Sequence, residues 1–159
     1  MSNFATADLY DAHEESLCVA APMFRDYGGV VQFHGPVSTL KVFEDNSLVR
    51  EMLEQPGDGQ VLVVDGAASM RCALVGDNLA QLGADNGWAG IVVYGCIRDA
   101  EPISTIPIGV KALATNPRKS VKRNEGQRDL QLRFAEISIE PGDWLYADAD
   151  GIVVSSSQL

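Results

Sequence analysis

The chain has 159 residues, 46% of them hydrophobic, which suffices for one domain with a sizeable core (1–159) and is too short for two ordinary ones. Acidic residues number 22 against 12 basic ones, a formal charge of −10 at pH 7 that opposes contact with phosphate backbones and excludes direct nucleic-acid binding as an expectation. No basic stretch leads into an apolar core at the N-terminus and no apolar run is long enough to span a bilayer, so the expected setting is cytoplasmic, with no membrane partner.

Thr6 can cap a short helix carrying Leu9, Tyr10 and His13, which ends before a loop at Ala21-Pro22. Gly28-Gly29 is a turn signal ahead of a strand at 30–34, and Pro36 separates it from a second strand at 38–43, so the pattern predicts an antiparallel pair. Asn46 or Ser47 caps a helix with Leu48, Val49, Met52 and Leu53 on one stripe, closed by Gln55-Pro56-Gly57. The next strand, 60–64, follows Gly57-Asp58-Gly59, whereas a phosphate-cradling glycine cluster follows a strand and opens a helix. Asp65-Gly66 does follow the strand, but Ala67-Ala68-Ser69-Met70 adds no further glycine, so neither a nucleotide fold nor a methyltransferase is supported. Cys18, Cys72 and Cys96 are too widely spaced for a zinc knuckle and predict no disulfide framework; of the two histidines, His13 and His34, the second reads as a satisfied strand residue.

The richest stretch runs from Gly76 to Asp99. Gly76-Asp77-Asn78-Leu79 follows the apolar run 72–75 and opens a helix that stops at Asn86-Gly87; 90–94 is then a buried parallel-type strand with Arg98-Asp99 beyond its carboxyl end. In α/β sheets ligands bind where the carboxyl ends of strands meet helix N-termini, so both motifs should face one crevice. There an anion docked on the N–H groups of Asn78 and Leu79 would meet the Arg98 guanidinium, while Asp77 and Asp99 offer hard oxygen ligands to a divalent cation. The same spacing also permits a plain ion pair from Arg98 to Asp77 or Asp99 that ties two loops together.

Glu101 reads as a supporting acid or a solvated loop residue. A strand is expected near 110–114. Arg118, Lys119, Lys122, Arg123 and Arg128 then place five basic residues within the loop 118–128, either to guide anionic substrates or to balance an acidic surface. Residues 131–139 alternate as one strand, Pro141-Gly142-Asp143 is a turn, and 144–147 and 152–154 form a hairpin around Asp148-Ala149-Asp150-Gly151.

Together these blocks resemble the regulator of ribonuclease activity A (RraA) family, which includes divalent-metal-dependent 4-hydroxy-4-methyl-2-oxoglutarate aldolases. The resemblance is carried by residues 6–12, 43–46, 61–66, 76–80, 95–99 and 141–143, and most specifically by Asp77 set twenty intervening residues before Arg98-Asp99. It implies an α/β fold, a single swivelling β/β/α domain assembled as a ring-shaped homotrimer. It also implies that Gly76, Asp77, Asn78 and Leu79 hold a substrate carboxylate, that Arg98 contacts the keto oxygen, that Asp99 anchors Mg2+ or Mn2+ and that Asp77 acts through water. The implied reaction is retro-aldol cleavage of a small 2-oxo acid to pyruvate, with oxaloacetate decarboxylation as a side activity through the same enolate. The family's other branch implies a different role, a regulator that binds and inhibits the mRNA-degrading endoribonuclease as a protein partner.

Overall fold

The apolar runs that alternate with amphipathic stretches in the middle of the chain become the parallel centre of a sheet. The computed structural model describes residues 3–159. Along the chain come helix α1 (Thr6–His13), strands β1 (Leu17–Val19), β2 (Arg25–Asp26) and β3 (Phe33–Lys41), helix α2 (Ser47–Leu53), and strands β4 (Val61–Asp65) and β5 (Ala73–Val75). Helix α3 (Asp77–Asp85), strand β6 (Gly90–Ile97), helix α4 (Ala100–Ile103) and strand β7 (Gly109–Thr115) follow. The last are β8 (Gln127–Arg128), β9 (Leu132–Phe134), β10 (Ile137–Ile139), β11 (Trp144–Ala147) and β12 (Ile152–Ser155). The main sheet runs β1-β12-β11-β3-β4-β6-β7-β2, with β5 beside β6 and β8 beside β3.

Alternation along the central strands separates two cores. Leu62, Val64, Ile91 and Val93 face a layer formed by α2, α3 and α4, while Val61, Val63 and Val92 face the hairpins β9-β10 and β11-β12. Each such side chain, buried from water, contributes about 1.5–3 kcal/mol. The result is a mixed α/β domain of three layers, a small β layer, a central sheet and helices. The pairs β3-β4, β4-β6 and β6-β7 are all parallel, so the carboxyl ends of these strands and the helices that follow them share one edge of the sheet.

Three expectations are corrected. The antiparallel pair at 30–34 and 38–43 is instead the single strand β3, whose first half pairs antiparallel with β11 and whose second half pairs parallel with β4. Pro36 lies at the changeover, where its missing N–H breaks no ladder between β3 and β4. Residues 131–139 are not one strand but the hairpin β9-β10, turned at Ala135 (φ 49°) and Glu136 (φ 62°), two left-handed residues with none of the Gly or Asn that would have announced the turn. Thr6 is not the cap of α1 but its first residue; its N–H and hydroxyl donate to the two Asp148 carboxylate oxygens, each at 2.7 Å, which docks the helix on the β11-β12 turn. The edge strand β1 was not foreseen, and the exposed Cys18 lies on it.

Lys111 of β7 is 2% exposed, pairing with Asp26 at 2.8 Å and donating to the Asp148 carbonyl at 2.8 Å, so β2, β7 and the hairpin turn are tied at one ammonium. No helix among the described residues is long and apolar enough to cross a membrane.

Candidate active site

Gly76 leaves β5 in extended conformation (φ −116°, ψ −172°) and Asp77 opens α3, while Arg98 and Asp99 leave the neighbouring β6. Because β5 and β6 are parallel neighbours, the two motifs meet: Asp77 N–H donates to Asp99 Oδ2 at 3.2 Å. Asp99 adopts the left-handed conformation (φ 57°, ψ 43°), a geometry Asp tolerates better than most residues, and its carbonyl accepts from Ile103 N–H at 3.0 Å. That bend turns its carboxylate back over Gly76, where an added Cβ would lie 2.8 Å from Asp99 Oδ2. Arg98 is fixed by its N–H to the Val75 carbonyl (2.9 Å), and its guanidinium lies 4.0 Å from Asp99 Oδ2 and donates to the Pro117 carbonyl at 3.5 Å. The pair is half-exposed and loosely matched, leaving most of the guanidinium's donors available.

All six residues singled out from the sequence, Gly76, Asp77, Asn78, Leu79, Arg98 and Asp99, line one cleft of about 90 Å3. Asn78 N–H is taken by Asp77 Oδ1 at 2.8 Å, so an anion at the α3 N-terminus meets the Leu79 first-turn N–H directly and gains Asn78 when the Asp77 side chain turns away.

The cleft also contains residues from outside the 76–99 stretch. Asn46, read from its local pattern as a helix cap, donates from Nδ2 to the Leu74 carbonyl (3.1 Å) and accepts at Oδ1 from Ser120 Oγ (2.8 Å) and Lys122 Nζ (3.2 Å). Arg50, Lys119 and Lys122 join the same wall from α2 and the basic loop, and none of the three forms an ion pair among the described residues. The available signal was topological: α2 follows a strand of the same parallel set as α3, so its start had to lie on the same edge. With Arg98, the cleft presents four cations against the two carboxylates of Asp77 and Asp99 on a chain of charge −10, a local reversal of sign that attracts dianions.

The donor set fits a hard divalent cation of a particular kind. No group of three or more His, Cys, Asp or Glu side chains gathers around a common point among the described residues, so the protein alone builds no closed metal cage. Mg2+ and Mn2+ suit a site of one or two carboxylates completed by substrate oxygens and water. Asp99 supplies one such carboxylate, half-exposed and held by no formal cation closer than 4.0 Å, and Asp77 stands beside it.

A parallel α/β edge carrying a helix N-terminus, an arginine and an adjacent carboxylate offers donors that a small anion could accept from. The chain belongs to the RraA-like family: the family model described as RraA-like, Aldolase/RraA, matches residues 6–154. A protein of Alkalilimnicola ehrlichii named "Putative 4-hydroxy-4-methyl-2-oxoglutarate aldolase" is 62% identical over 154 residues, covering 97% of this chain and 96% of the relative. The structure of the RNA-processing inhibitor RraA from Thermus thermophilis superposes with a TM-score of 0.96 at 44% identity, over 99% of this chain and 96% of that one. A Geobacillus kaustophilus structure described as an S-adenosylmethionine:2-dimethylmenaquinone methyltransferase also gives 0.96, at 50% identity, over 98% and 97%.

Proposed function

We propose that this protein is a divalent-metal-dependent lyase that cleaves 4-hydroxy-4-methyl-2-oxoglutarate to two molecules of pyruvate, and that it decarboxylates oxaloacetate as a secondary activity. The observation that carries this reading is the juxtaposition of Arg98, Asp99 and the α3 N-terminus within a cleft also lined by Arg50, Lys119 and Lys122. The name of the Alkalilimnicola relative supports the same reaction.

The substrate is a dianion, and the cleft has a place for each end. The C1 carboxylate suits the N–H groups at the start of α3, and the distal carboxylate suits Lys119 and Lys122 of the same cleft. In retro-aldol cleavage the C4 hydroxyl loses its proton, the C3–C4 bond breaks, C4 becomes the ketone of one pyruvate, and the bonding pair moves through C3 to the C2 oxygen of the other. Arg98 donates hydrogen bonds to that oxygen as its negative charge grows, so its contribution is larger in the transition state than in the ground state. Asp77 and Asp99 would hold the divalent cation, which supplies Lewis-acid stabilisation of the same developing charge. Protonation at C3 then releases the second pyruvate. Decarboxylation of oxaloacetate delivers the same enolate by losing CO2 in place of a ketone, which is why one site serves both.

The site also argues against a Schiff-base route. Lys111 is buried in the Asp26 pair and Lys122 donates to Asn46 Oδ1, so neither presents a free amine to the cleft. Transfer from S-adenosylmethionine has no matching cradle: β4 runs into a closed turn in which Asp65 Oδ1 accepts from Ala67 N–H at 2.8 Å. A second reading, a protein regulator that binds the mRNA-degrading endoribonuclease, draws support from the 44% identity to the Thermus inhibitor. Both readings include assembly as a ring-shaped homotrimer.

Pyruvate release from 4-hydroxy-4-methyl-2-oxoglutarate and from oxaloacetate, assayed with Mg2+ or Mn2+, after chelation and after metal restoration, tests the lyase. Release that disappears on chelation and returns with metal supports it. Release no faster than with metal alone moves the weight to the regulator, for which binding to the ribonuclease is the matching assay.

A further inference from the structure

Asp45 follows β3 at the sheet edge that carries the cleft. Its side chain is a carboxylate in the core, 1% exposed and in no ion pair among the described residues. A buried charge survives there only if hydrogen bonds replace the lost water. Ser47 donates to Oδ1 from both its N–H (2.8 Å) and its hydroxyl (2.6 Å), and Oδ2 accepts from Arg123 N–H (2.7 Å) and Glu125 N–H (3.2 Å). Burial pushes this carboxyl up, and the donors from Ser47, Glu125 and Arg123 outweigh burial and hold it below its ordinary value.

The two strap amides lie nearly eighty positions away in sequence, in a segment anchored at both ends: Ala73 N–H of β5 donates to the Arg118 carbonyl (2.8 Å) beside a bridge from Ala73 to Lys119, and β8 pairs with β3. From 117 to 128 Ser120 alone is buried, and regular structure begins only with β8. Between those ends the ties reach one short stretch of chain: Val121 N–H donates to the Glu44 carbonyl (3.3 Å), Ser120 and Lys122 bond Asn46, and Asn124 N–H donates to Ser47 Oγ (3.3 Å). Residues 44–47 thus act as a cleat over which residues 120–125 are drawn, bringing Lys122 to the cleft wall, while the bridge to Ala73 places Lys119. A one-residue helix cap would need only the Ser47 contacts; the second oxygen is committed to the strap.

We propose that Asp45 is a positioning residue, whose buried carboxylate clamps residues 120–125 of the strap so that Lys122 faces the substrate's distal carboxylate. The clamp stands on geometry alone, and its consequence for substrate rests on the lyase reading above.

Three measurements test it. In the unaltered protein, the Arg123 and Glu125 amides should exchange with solvent at least about tenfold slower than the same sequence unstructured, the protection expected of N–H groups bonded to a buried carboxylate. In Asp45→Asn, where one acceptor oxygen becomes a donor, trypsin should cut after Arg118, Lys119, Lys122 or Arg123 at least about tenfold faster, with far-UV dichroism unchanged. For the same variant the KM for 4-hydroxy-4-methyl-2-oxoglutarate should rise about tenfold with kcat within about threefold, a split that general loosening of the fold would not give. Unprotected amides in the unaltered protein overturn the clamp even if the variant fails to fold, and so does unchanged trypsin cleavage in a folded variant. An unchanged KM with a released strap overturns the positioning role. Absence of turnover in the unaltered protein sinks the lyase reading instead, leaving exchange and proteolysis to decide the clamp.

Discussion

Gly76→Ala isolates the contact on which the site is built. The backbone there is extended, so alanine meets no conformational penalty, and the loss of unfolded-state freedom stabilises the variant by about 0.4–1 kcal/mol. The new methyl would lie 2.8 Å from Asp99 Oδ2, where ordinary contact begins near 3.4 Å, and 3.5 Å from Arg98 Cγ and Nε. Asp99 is half-exposed and gives way by about 0.6 Å, which relieves the clash but swings the carboxylate off its position over the α3 N-terminus. Since misplacement by about 1 Å costs on the order of 100-fold in rate, kcat/KM should fall by about 10–100-fold. The Mg2+ concentration giving half-maximal activity should rise with it. With stability changed by about 1 kcal/mol or less, the thermal midpoint should move by no more than about 4 °C. The assay is a Mg2+ titration of pyruvate release beside a thermal melt. Wild-type rates with wild-type metal demand would refute the role given to Asp99 and its packing on Gly76.

Further outcomes follow from the same geometry. Arg98→Lys keeps the charge but loses the planar fork, so kcat should fall by more than about tenfold with the fold intact; a change smaller than about twofold would mean that only charge matters at this position. Lys111→Met leaves Asp26 without its partner and the Asp148 carbonyl without its donor. Because Asp26 reaches solvent, the expected loss is about 2–3 kcal/mol by urea unfolding, below that for a wholly buried pair, and a loss under about 0.5 kcal/mol would show that the tie is idle. Burial raises the Asp148 carboxyl, but donors from Thr6, Asp150 and Gly151 outweigh it and hold it below its ordinary value. A lowered folded value gives stability that is complete above the unfolded value of about 3.9 and is lost as pH falls through the folded one. Asp148→Asn should therefore be less stable than wild type at pH 6, with the gap narrowing as the pH falls below the unfolded value; a constant gap would contradict this assignment.

The functional edge was legible because it is built from local signals that the parallel topology brings together. A strand, a Gly-Asp-Asn turn, a helix and a second strand follow one another from 72 to 99, and parallel pairing of neighbours leaves Asp77 and Asp99 no choice but to meet. The rest of the cleft was illegible for the converse reason. Asn46 touches Ser120 and Lys122, and Asp45 touches Arg123 and Glu125, across more than seventy positions, and each of those residues has an adequate local explanation as cap, turn or solvated loop. Pro36 misled because its usual meaning, a strand end, does not apply where a strand changes partners. At Ala135-Glu136 the hairpin turn is imposed by packing of Leu132, Phe134, Ile137 and Ile139 into the second core, overriding residues that do not favour left-handed backbone.

Pyruvate release from 4-hydroxy-4-methyl-2-oxoglutarate by wild type and by Asp99→Asn, at equal concentration and saturating Mg2+, bears most directly on the central claim. The substitution conserves shape and removes the charge that would anchor the metal, at a half-exposed position where folding should be unaffected. Metal-dependent release by wild type, reduced at least about 1,000-fold in the variant, is the predicted result, since both the anchor and the charge stabilisation it supports are lost together. Equal release by the two proteins would contradict a lyase centred on Arg98 and Asp99.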